Sequence, residues 1–528
     1  MLLLQARNLS FRYEGMLEPL FSGVNLSLYA GDKAALLGHN GAGKTTLLNL
    51  LLGDLVSERE VFCSGQIAVL RQEDKLEFEG LLLEALLRQH PVFDLFVEMR
   101  TAEKAGLPDP LHYADVIAAF TEQGGFEILA RIEAELSQLG FSEDALQNSA
   151  AALSGGQRRL LKIMSVFLSP ADVLVLDEPS NYLDEAATAF LIEKIQLFSG
   201  ACLVVSHDRW FLDQVTTKVL ELEHRQITSY RGNYSVFRET KDGIYRQKVR
   251  KKAKLESEIT KLQGIEQTYK TWGARKEKEK TSHADKGFIG ARAAKLRKRA
   301  IMAKERMGER IEELKDAKPW VDKHYEVFFD DISVPSGTCL VLRELAFAYT
   351  DEFVLHDLAL TLEWGERMAL VGENGSGKST LIKMLLGQLE PLKGELMWSK
   401  GTKIAYLPQL WMKPETAVTP ADLFTEGELQ QARTMLGALR LKGELVYQAF
   451  DSLSEGQKRK VSLVRVMLDK PNVVILDEPT THLDYESVEM LENALLEYDG
   501  TVILVSHDKY LRERVCDRVF ELRKEQAM

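Results

Sequence analysis

The sequence predicts an α/β protein: two tandem α/β domains, each built on a buried parallel sheet, joined by a long antiparallel helical hairpin. Three observations predict it. Short segments of the first half recur in the second half in the same order. In each copy, apolar runs such as VLVL at 173–176 and VVIL at 473–476 lead straight into charged turns, the pattern of strands buried on both faces. Between the halves, residues 241–318 carry 24 Lys+Arg against 12 Asp+Glu, whereas the whole chain has a net charge of −12. A basic insert of net +12 therefore joins two parts that together sum to −24.

At 528 residues the chain exceeds what one core holds. The repeat and the charge shift divide it at 1–240, 241–318 and 319–528. No run of 18 uncharged apolar residues is present, which predicts no transmembrane helix, and the opening MLLLQARNLSFRY is too briefly apolar for a signal-peptide core. Cys63, Cys202, Cys339 and Cys516 are far apart and lack metal-ligand spacing, as expected of incidental thiols in a reducing cytoplasm.

The repeat begins with GHNGAGKTT (Gly38–Thr46), which returns as GENGSGKST (Gly372–Thr380). LSGGQRR from Leu153 returns as LSEGQKR from Leu453, and VLVLDEPSNYLD from Val173 as VVILDEPTTHLD from Val473. The offset is 334 at Lys44/Lys378 and 337 at Gln72/Gln409, but 300 at Ser154/Ser454, Glu178/Glu478 and His207/His507. The first copy is thus 37 residues longer between Gln72 and Ser154. The excess falls within 76–140, whose apolar steps of three and four predict a small helical addition; packing elaboration is as good a reading of it as a functional one.

Both glycine-rich segments follow a short apolar run and precede a helical pattern, the setting in which this spacing forms a phosphate-binding loop. Glycines let backbone N–H groups curl round phosphate oxygens at a helix N-terminus. This assigns Gly38, Asn40, Gly41, Gly43, Lys44, Thr45 and Thr46 to one nucleotide site, and Gly372, Asn374, Gly375, Gly377, Lys378, Ser379 and Thr380 to another. Lys44 and Lys378 neutralise β/γ oxygens in this reading, while Thr45 and Ser379 offer hydroxyls to Mg²⁺. Apolar strands then deliver Asp177–Glu178 and Asp477–Glu478. The aspartates suit a water-mediated Mg²⁺ contact, and the glutamates are placed to polarise an attacking water. His207 and His507 end another apolar strand, where they can hold the γ-phosphate and that water; a lone histidine there is more often structural, so their assignment leans on these companions.

LSGGQ and LSEGQ ahead of a carboxylate-ended strand, with a glutamine earlier (Gln72 in VLRQE, Gln409 in YLPQL), resemble the ATP-binding-cassette family. The resemblance implies that Ser154, Gly155, Gly156 and Gln157, and Ser454, Gly456 and Gln457, are signature residues contacting nucleotide. It implies that Gln72 and Gln409 join the Mg²⁺ ligands, that Asp184 and Asp484 match the D-loop, and that Tyr13 and Tyr349 match the adenine-stacking aromatic. Cassettes of this family pair head to tail, so Lys44, Gln72, Glu178 and His207 are expected to face Ser454 and Gly456. Lys378, Gln409, Glu478 and His507 are expected to face Ser154, Gly155 and Gly156. ATP and Mg²⁺ are the implied cofactors, and the pairing is intramolecular in a monomer. Glu455 departs from the glycine usual at its position, and Asn181-Tyr182 differs from Thr481-His482; both put the equality of the two sites in question.

In the insert, apolar residues at Val249, Leu255, Ile259, Leu262, Ile265 and Tyr269, and again at Leu296, Ala300, Ala303, Met307, Ile311 and Leu314, have helical spacing. They predict two antiparallel helices with a turn between Trp272-Gly273 and Gly290, projecting roughly 40 Å. Glu-Lys alternation such as 276–280 reads as a solvated face. Basic runs at KVRKKAK (248–254) and ARAAKLRKR (291–299) concentrate charge where acidic partners are scarce. Together with Arg275 near the turn, they make Lys251, Lys252, Arg292, Lys295, Arg297, Lys298 and Arg299 candidate RNA-phosphate contacts. Trp272, with Tyr269 and His283, reads equally as a base-stacking surface or as hinge packing.

Two cassettes joined by a charged helical linker resemble the ABC-F subfamily, with YRGNYS at 230–235 similar to that family's approach to its linker and HADKGFIGARAAKLRKR at 283–299 similar to its antibiotic-resistance members. The resemblance implies a cytoplasmic ATPase that binds the ribosome near the exit-tRNA site when ATP-bound. Its linker is expected to reach toward the P-site tRNA and the peptidyl-transferase centre, contacting rRNA and tRNA, with no membrane partner. The outcome is displacement of a lincosamide, pleuromutilin or streptogramin A antibiotic, or rescue of stalled ribosomes. The helical addition matches the family's arm. A transporter's ATP-binding subunit is the competing reading; a DNA-repair cassette ATPase fits less well, for want of longer coiled coils or zinc-binding cysteines.

Overall fold

In the computed structural model the described residues are all but 17, 56–60, 72–81, 89, 107–108, 140, 142–154, 182, 280–287, 320–326, 331, 350–352, 374, 410–417, 442 and 524–528; at 155, 269–279, 288–300, 304 and 353 the description is of the backbone alone. The chain forms two units, Met1–Tyr234 together with Tyr325–Met528, and Ser235–His324.

The first repeat opens with β1 (Leu2–Phe11), β2 (Phe21–Tyr29) and β3 (Lys33–Leu37), which leads into α1 (Lys44–Leu52). β4 (Val61–Cys63) and β5 (Ile67–Leu70) precede α2 (Leu82–Leu87), α3 (Phe93–Lys104), α4 (Pro110–Glu122) and α5 (Gly125–Gln138). Then come α6 (Gly155–Leu168), β6 (Val173–Asp177), α7 (Glu185–Leu197), β7 (Ala201–Val205), α8 (Arg209–Val215), β8 (Lys218–Glu223) and β9 (Gln226–Arg231). The main sheet has the order β5-β6-β7-β3-β8-β9, parallel except for β9. Every residue of β3, β6 and β7 is buried, which is why these strands read as unbroken apolar runs. β2, β1 and β4 form a separate antiparallel sheet whose inward residues, including Leu4, Leu9, Val24 and Leu28, share a core with α1.

The stretch read as a helical addition holds α2 to α5. Asp109 caps α4 by accepting from the Leu111 and His112 N–H groups, with Pro110 at the first helical position. Phe120 is fully buried between Phe96 (6.3 Å between ring centroids) and Phe126 (5.1 Å, edge-on). These helices therefore have a small core of their own.

The second unit contains most of α9 (Tyr234–Glu279) and α10 (Phe288–Asp316). Arg310 lies 3.8 Å from Glu258 and Lys318 pairs with Glu256, so the two helices run antiparallel. Here the expectation from spacing needs correction. Trp272-Gly273 does not begin a turn: α9 continues through it to Glu279 and starts as early as Tyr234, so it spans 46 residues, about 69 Å, where the apolar spacing predicts a helix of roughly 40 Å. The apolar rhythm fades there, but Lys, Glu, Arg and Ala hold a helix without it, and an isolated glycine costs only about 1 kcal/mol.

The second repeat comprises β10 (Thr338–Ala348), β11 (Phe353–Glu363), β12 (Arg367–Val371), α11 (Lys378–Leu385), β13 (Lys393–Trp398) and β14 (Ile404–Leu407). It continues with α12 (Glu426–Ala438), α13 (Glu455–Leu468), β15 (Val473–Asp477), α14 (Tyr485–Glu497), β16 (Thr501–Val505), α15 (Lys509–Val515) and β17 (Arg518–Glu521). Its sheet order, β14-β15-β16-β12-β17, matches β5-β6-β7-β3-β8 of the first, with no counterpart of β9 among the described residues, and its antiparallel β11-β10-β13 sheet matches β2-β1-β4.

Candidate nucleotide-binding site

The turn from β3 into α1, and from β12 into α11, is forced by glycine. Gly43 and Gly377 cap the helices at φ 99° and 94°, and a Cβ there would lie 2.8 Å from Leu20 and 2.5 Å from Leu355. Inside each loop the lysine folds back: Lys44 Nζ donates to the Gly38 carbonyl (2.7 Å) and Lys378 Nζ to that of Gly372 (2.6 Å). Thr45 and Ser379 are exposed, while Thr46 and Thr380 turn inward and bond the hydroxyls of Tyr13 (3.0 Å) and Tyr349 (3.4 Å). Each tyrosine stands edge-on to a phenylalanine, Phe11 or Phe347, and keeps an exposed face.

β6 and β15 bring Asp177 and Asp477 to the loops, and the next residues, Glu178 and Glu478, sit in left-handed backbone at φ 48° and 47°. Such a conformation is rare outside glycine and persists only where surroundings hold it. Here they do. The Arg159 guanidinium donates to the carbonyls of Asp177 (3.1 Å) and Glu178 (2.9 Å), and Arg459 to those of Asp477 (2.8 Å) and Glu478 (2.7 Å). Both arginines are buried on the signature helices α6 and α13 and reach back to the glutamine segment through the carbonyls of Arg71 and Pro408. Sequence reasoning missed them; the signal was a second basic residue after Gln157 and Gln457 at the common offset of 300.

Burial raises the Glu178 and Glu478 carboxyls, Glu478 to about 8, with the neighbouring aspartate adding to the shift in each. Burial pushes the imidazoles the other way, His207 to about 3 and His507 to about 4, each helped by the loop lysine. Each Nε2 lies 3.4 Å from its glutamate, and the histidine N–H donates to the same carboxyl (3.4 and 3.3 Å). In the nucleotide-free chain burial thus favours the uncharged form of both partners, and the glutamate has to give up its proton before it can accept one from water. Burial also raises Asp177 and Asp477. The exposed Thr45 or Ser379 hydroxyl with that aspartate is a sparse hard-oxygen donor set, suited to Mg²⁺ shared with phosphates. Among the described residues no cluster of three His, Cys, Asp or Glu could hold a metal alone.

The two repeats meet head to tail. The Asn40 N–H donates to Asp484 Oδ2 (3.2 Å), and its side-chain amide donates to the His482 carbonyl (2.9 Å). Gly456 lies against this contact, for a Cβ there would come within 2.5 Å of both Asn40 Nδ2 and the His482 oxygen. Ser454 caps α13 in a capping box with Gln457, and Glu455 pairs with Lys458 at 2.7 Å. On the opposite side, the field of Asp184 reaches Lys378 and His507.

Gly155, Gly156 and Gln157 form the first turn of α6, and Gln409 is exposed after β14. Gln72, Ser154, Asn374 and Tyr182 lie outside the described residues, as do His283 and the side chains of Tyr269, Trp272, Arg275, Arg292, Lys295, Arg297, Lys298 and Arg299. Lys251 is exposed and Lys252 half-buried on α9.

Two phosphate loops, two strand-borne carboxylate pairs and two opposed glycine-rich helix starts define a tandem phosphate-loop nucleotide-binding protein. Residues 21–181 and 355–481 match the family model described as "ABC transporter". The chain is 34% identical to the protein YdiF of Bacillus subtilis, over 99% of this chain and 80% of that protein. It is 31% identical to the ribosome protection protein VmlR of the same organism (95% and 84%) and 31% identical to human ATP-binding cassette sub-family F member 3 (94% and 68%). Among solved structures, the RNase-L inhibitor aligns with a TM-score of 0.55 at 18% identity, over 98% of this chain and 88% of that one. An archaeal ribosome recycling factor aligns at 0.56 and 19% (97% and 87%). These two likenesses bear on the two-cassette fold alone. The chain belongs to the ATP-binding-cassette family of ATPases, in its F subfamily.

Proposed function

We propose that the chain is an ATP hydrolase with two composite sites, each built from the phosphate loop of one cassette and the signature segment of the other. The observation that carries this reading is the bonding of Asn40 to His482 and Asp484 beside Gly456. Glu178 and Glu478 polarise the attacking water, and His207 and His507 hold it against the γ-phosphate. Tyr13 and Tyr349 stack on adenine. Thr45, Gln72 and Asp177, and likewise Ser379, Gln409 and Asp477, would hold Mg²⁺, which would supply positive charge to the phosphate oxygens.

The same proposal assigns 1–240 and 319–528 to the cassettes and 241–318 to the linker, with the arm in 76–140. ATP closes the cassettes of a cytoplasmic monomer, and the closed form binds the ribosome near its exit-tRNA site. The linker, through its basic residues, acts on rRNA and P-site tRNA, displacing an antibiotic or restarting a stalled ribosome. Support comes from the net +12 of the linker, the length of α9 and the 31% identity to a protein named for ribosome protection.

The test is sedimentation of the Glu178→Gln/Glu478→Gln variant with ribosomes and with membranes in the presence of ATP. ATP-dependent comigration with ribosomes is expected. Comigration with membranes alone would favour the transporter reading that the family model's description suggests; among the described residues no helix is long and apolar enough to cross a membrane. Inhibitory concentrations of lincosamides, pleuromutilins and streptogramin A in a sensitive host expressing the gene separate antibiotic displacement from rescue.

A further inference from the structure

The two candidate sites differ at a residue that neither motif contains. Lys460, on the signature helix α13, is only 4% exposed, and its ammonium donates to Asp484 Oδ2 (2.8 Å) and to the Leu439 carbonyl (2.9 Å). Asp484, 1% exposed, is the residue whose Oδ2 receives the Asn40 N–H of the opposite phosphate loop. Its other oxygen accepts from the Ser487 N–H (3.0 Å) and hydroxyl (2.5 Å), so every described donor round the carboxylate holds one orientation. Burial alone would raise this acid; the Lys460 charge and bond, with those of Ser487 and Asn40, hold it well below the usual carboxylate range.

At the other site the corresponding positions are Leu160, Asp184 and Ala187. Asp184 caps α7 by accepting from the Ala187 N–H (2.9 Å) and is half-buried. Leucine and alanine side chains have no ammonium or hydroxyl to offer it. The same offset of 300 that aligns the catalytic glutamates therefore aligns a buried lysine with a leucine. The Lys460 and Asp484 charges are also felt at Lys44 and His207, within the first site.

We propose that Lys460 is a positioning residue for one of the two ATP sites: it clamps Asp484 so that this carboxylate holds the phosphate loop of Lys44 against the opposing signature turn, whereas among the described residues no ammonium clamps Asp184 at the site of Lys378, and the two sites turn over unequally. The inference rests on the composite-site reading above. A charge removed from a buried pair leaves its partner free to reorient, and a loop displaced by an ångström misaligns the groups that must meet in the transition state.

The experiment is steady-state ATP hydrolysis by the full chain, with turnover referred to molecules that bind a fluorescent ATP analogue so that unfolded chain is not counted. Lys460→Met is expected to lower kcat about tenfold with KM changed by less than about threefold, because Lys44 and Tyr13 still bind ATP. Lys460→Arg should restore most of the lost turnover. Combined with Asp484→Asn, Lys460→Met should cost nothing further, whereas combined with Asp184→Asn the losses should multiply. Full turnover in Lys460→Met, no recovery in Lys460→Arg, or equal coupling to both aspartates would overturn the proposal. Unchanged turnover in both Glu178→Gln and Glu478→Gln, measured singly, would instead sink the composite-site reading itself.

Discussion

Arg209 and Glu492 form a buried ion pair between the two cassettes: Nη1 lies 2.7 Å from Oε2, with 5% of one side chain and none of the other exposed. Arg209 starts α8 of the first cassette and Glu492 lies within α14 of the second. Asp508 (3.3 Å from Arg209) and Arg514, which pairs with Glu492, extend the cluster. Position 192, equivalent to Glu492, is isoleucine; on the mirror side α15 and α7 are joined instead by Arg512 and Glu185 (2.5 Å), whose carboxylate is 76% exposed.

Arg209→Met should therefore destabilise the junction by about 3 kcal/mol, because it leaves buried carboxylates short of a cation. Denaturant unfolding is the measurement. The double variant Arg209→Met/Glu492→Leu should recover much of that loss, since a buried pair replaced by packed apolar groups is often near neutral. Equal losses in the single and double variants would refute an ionic role.

Arg459 offers a second prediction. Its guanidinium is the donor that holds the carbonyls of Asp477 and Glu478 beside a left-handed glutamate. Arg459→Met should lower turnover about tenfold or more, by freeing a turn whose conformation costs of order 1–3 kcal/mol. Nucleotide affinity should change far less, since Lys378 and Tyr349 stay in place. A kcat unaltered by the substitution would refute this.

Asp208 predicts a pH dependence for the ligand-free protein. Burial, then the Asp508 charge, raises it from 3.8 to about 7, while Arg209 and its own cap bonds to Phe211 and Trp210 oppose the shift. The folded state thus binds this proton more tightly than the unfolded chain does. The stability it contributes is complete below about pH 4 and is lost as pH rises to about 7. Asp208→Asn keeps a capping oxygen for the Phe211 N–H and removes the titration. Its stability relative to the unsubstituted chain should rise between pH 4 and 7 and level off above. Parallel melting-temperature curves across that range would count against the shift.

For the linker, replacing Arg297, Lys298 and Arg299 with glutamine should weaken ATP-dependent ribosome binding. It should also reduce the slope of log affinity against log salt by roughly two to three, because each phosphate that is no longer neutralised lowers it by about 0.7–0.9. An unchanged slope would return these residues to a solvated helix face.

Much was legible in the sequence because its information is local. The phosphate loops are contiguous, so spacing alone located Lys44 and Lys378. The strands ending at Asp177 and Asp477 are buried on both faces, so they read as unbroken apolar runs. The offset of 300 aligned the two copies, and the 37-residue excess located the helices between Leu82 and Gln138. The same local reading misjudged α9, because periodicity reports a packed face and α9 continues where the apolar rhythm fades.

Sequence by itself determined that there are two cassettes, where each phosphate loop and carboxylate pair lies, and that a basic helical segment joins them. Only the tertiary structure decided which residues from distant segments meet: Arg159 and Arg459 beneath the carboxylate turns, Asn40 on Asp484, Arg209 on Glu492, and Lys460 where the first copy has Leu160. The reason is physical. Helix, strand and loop preferences act between neighbours in the chain, whereas the pairing of buried charges depends on groups up to 444 residues apart coming within hydrogen-bond reach after the core has formed.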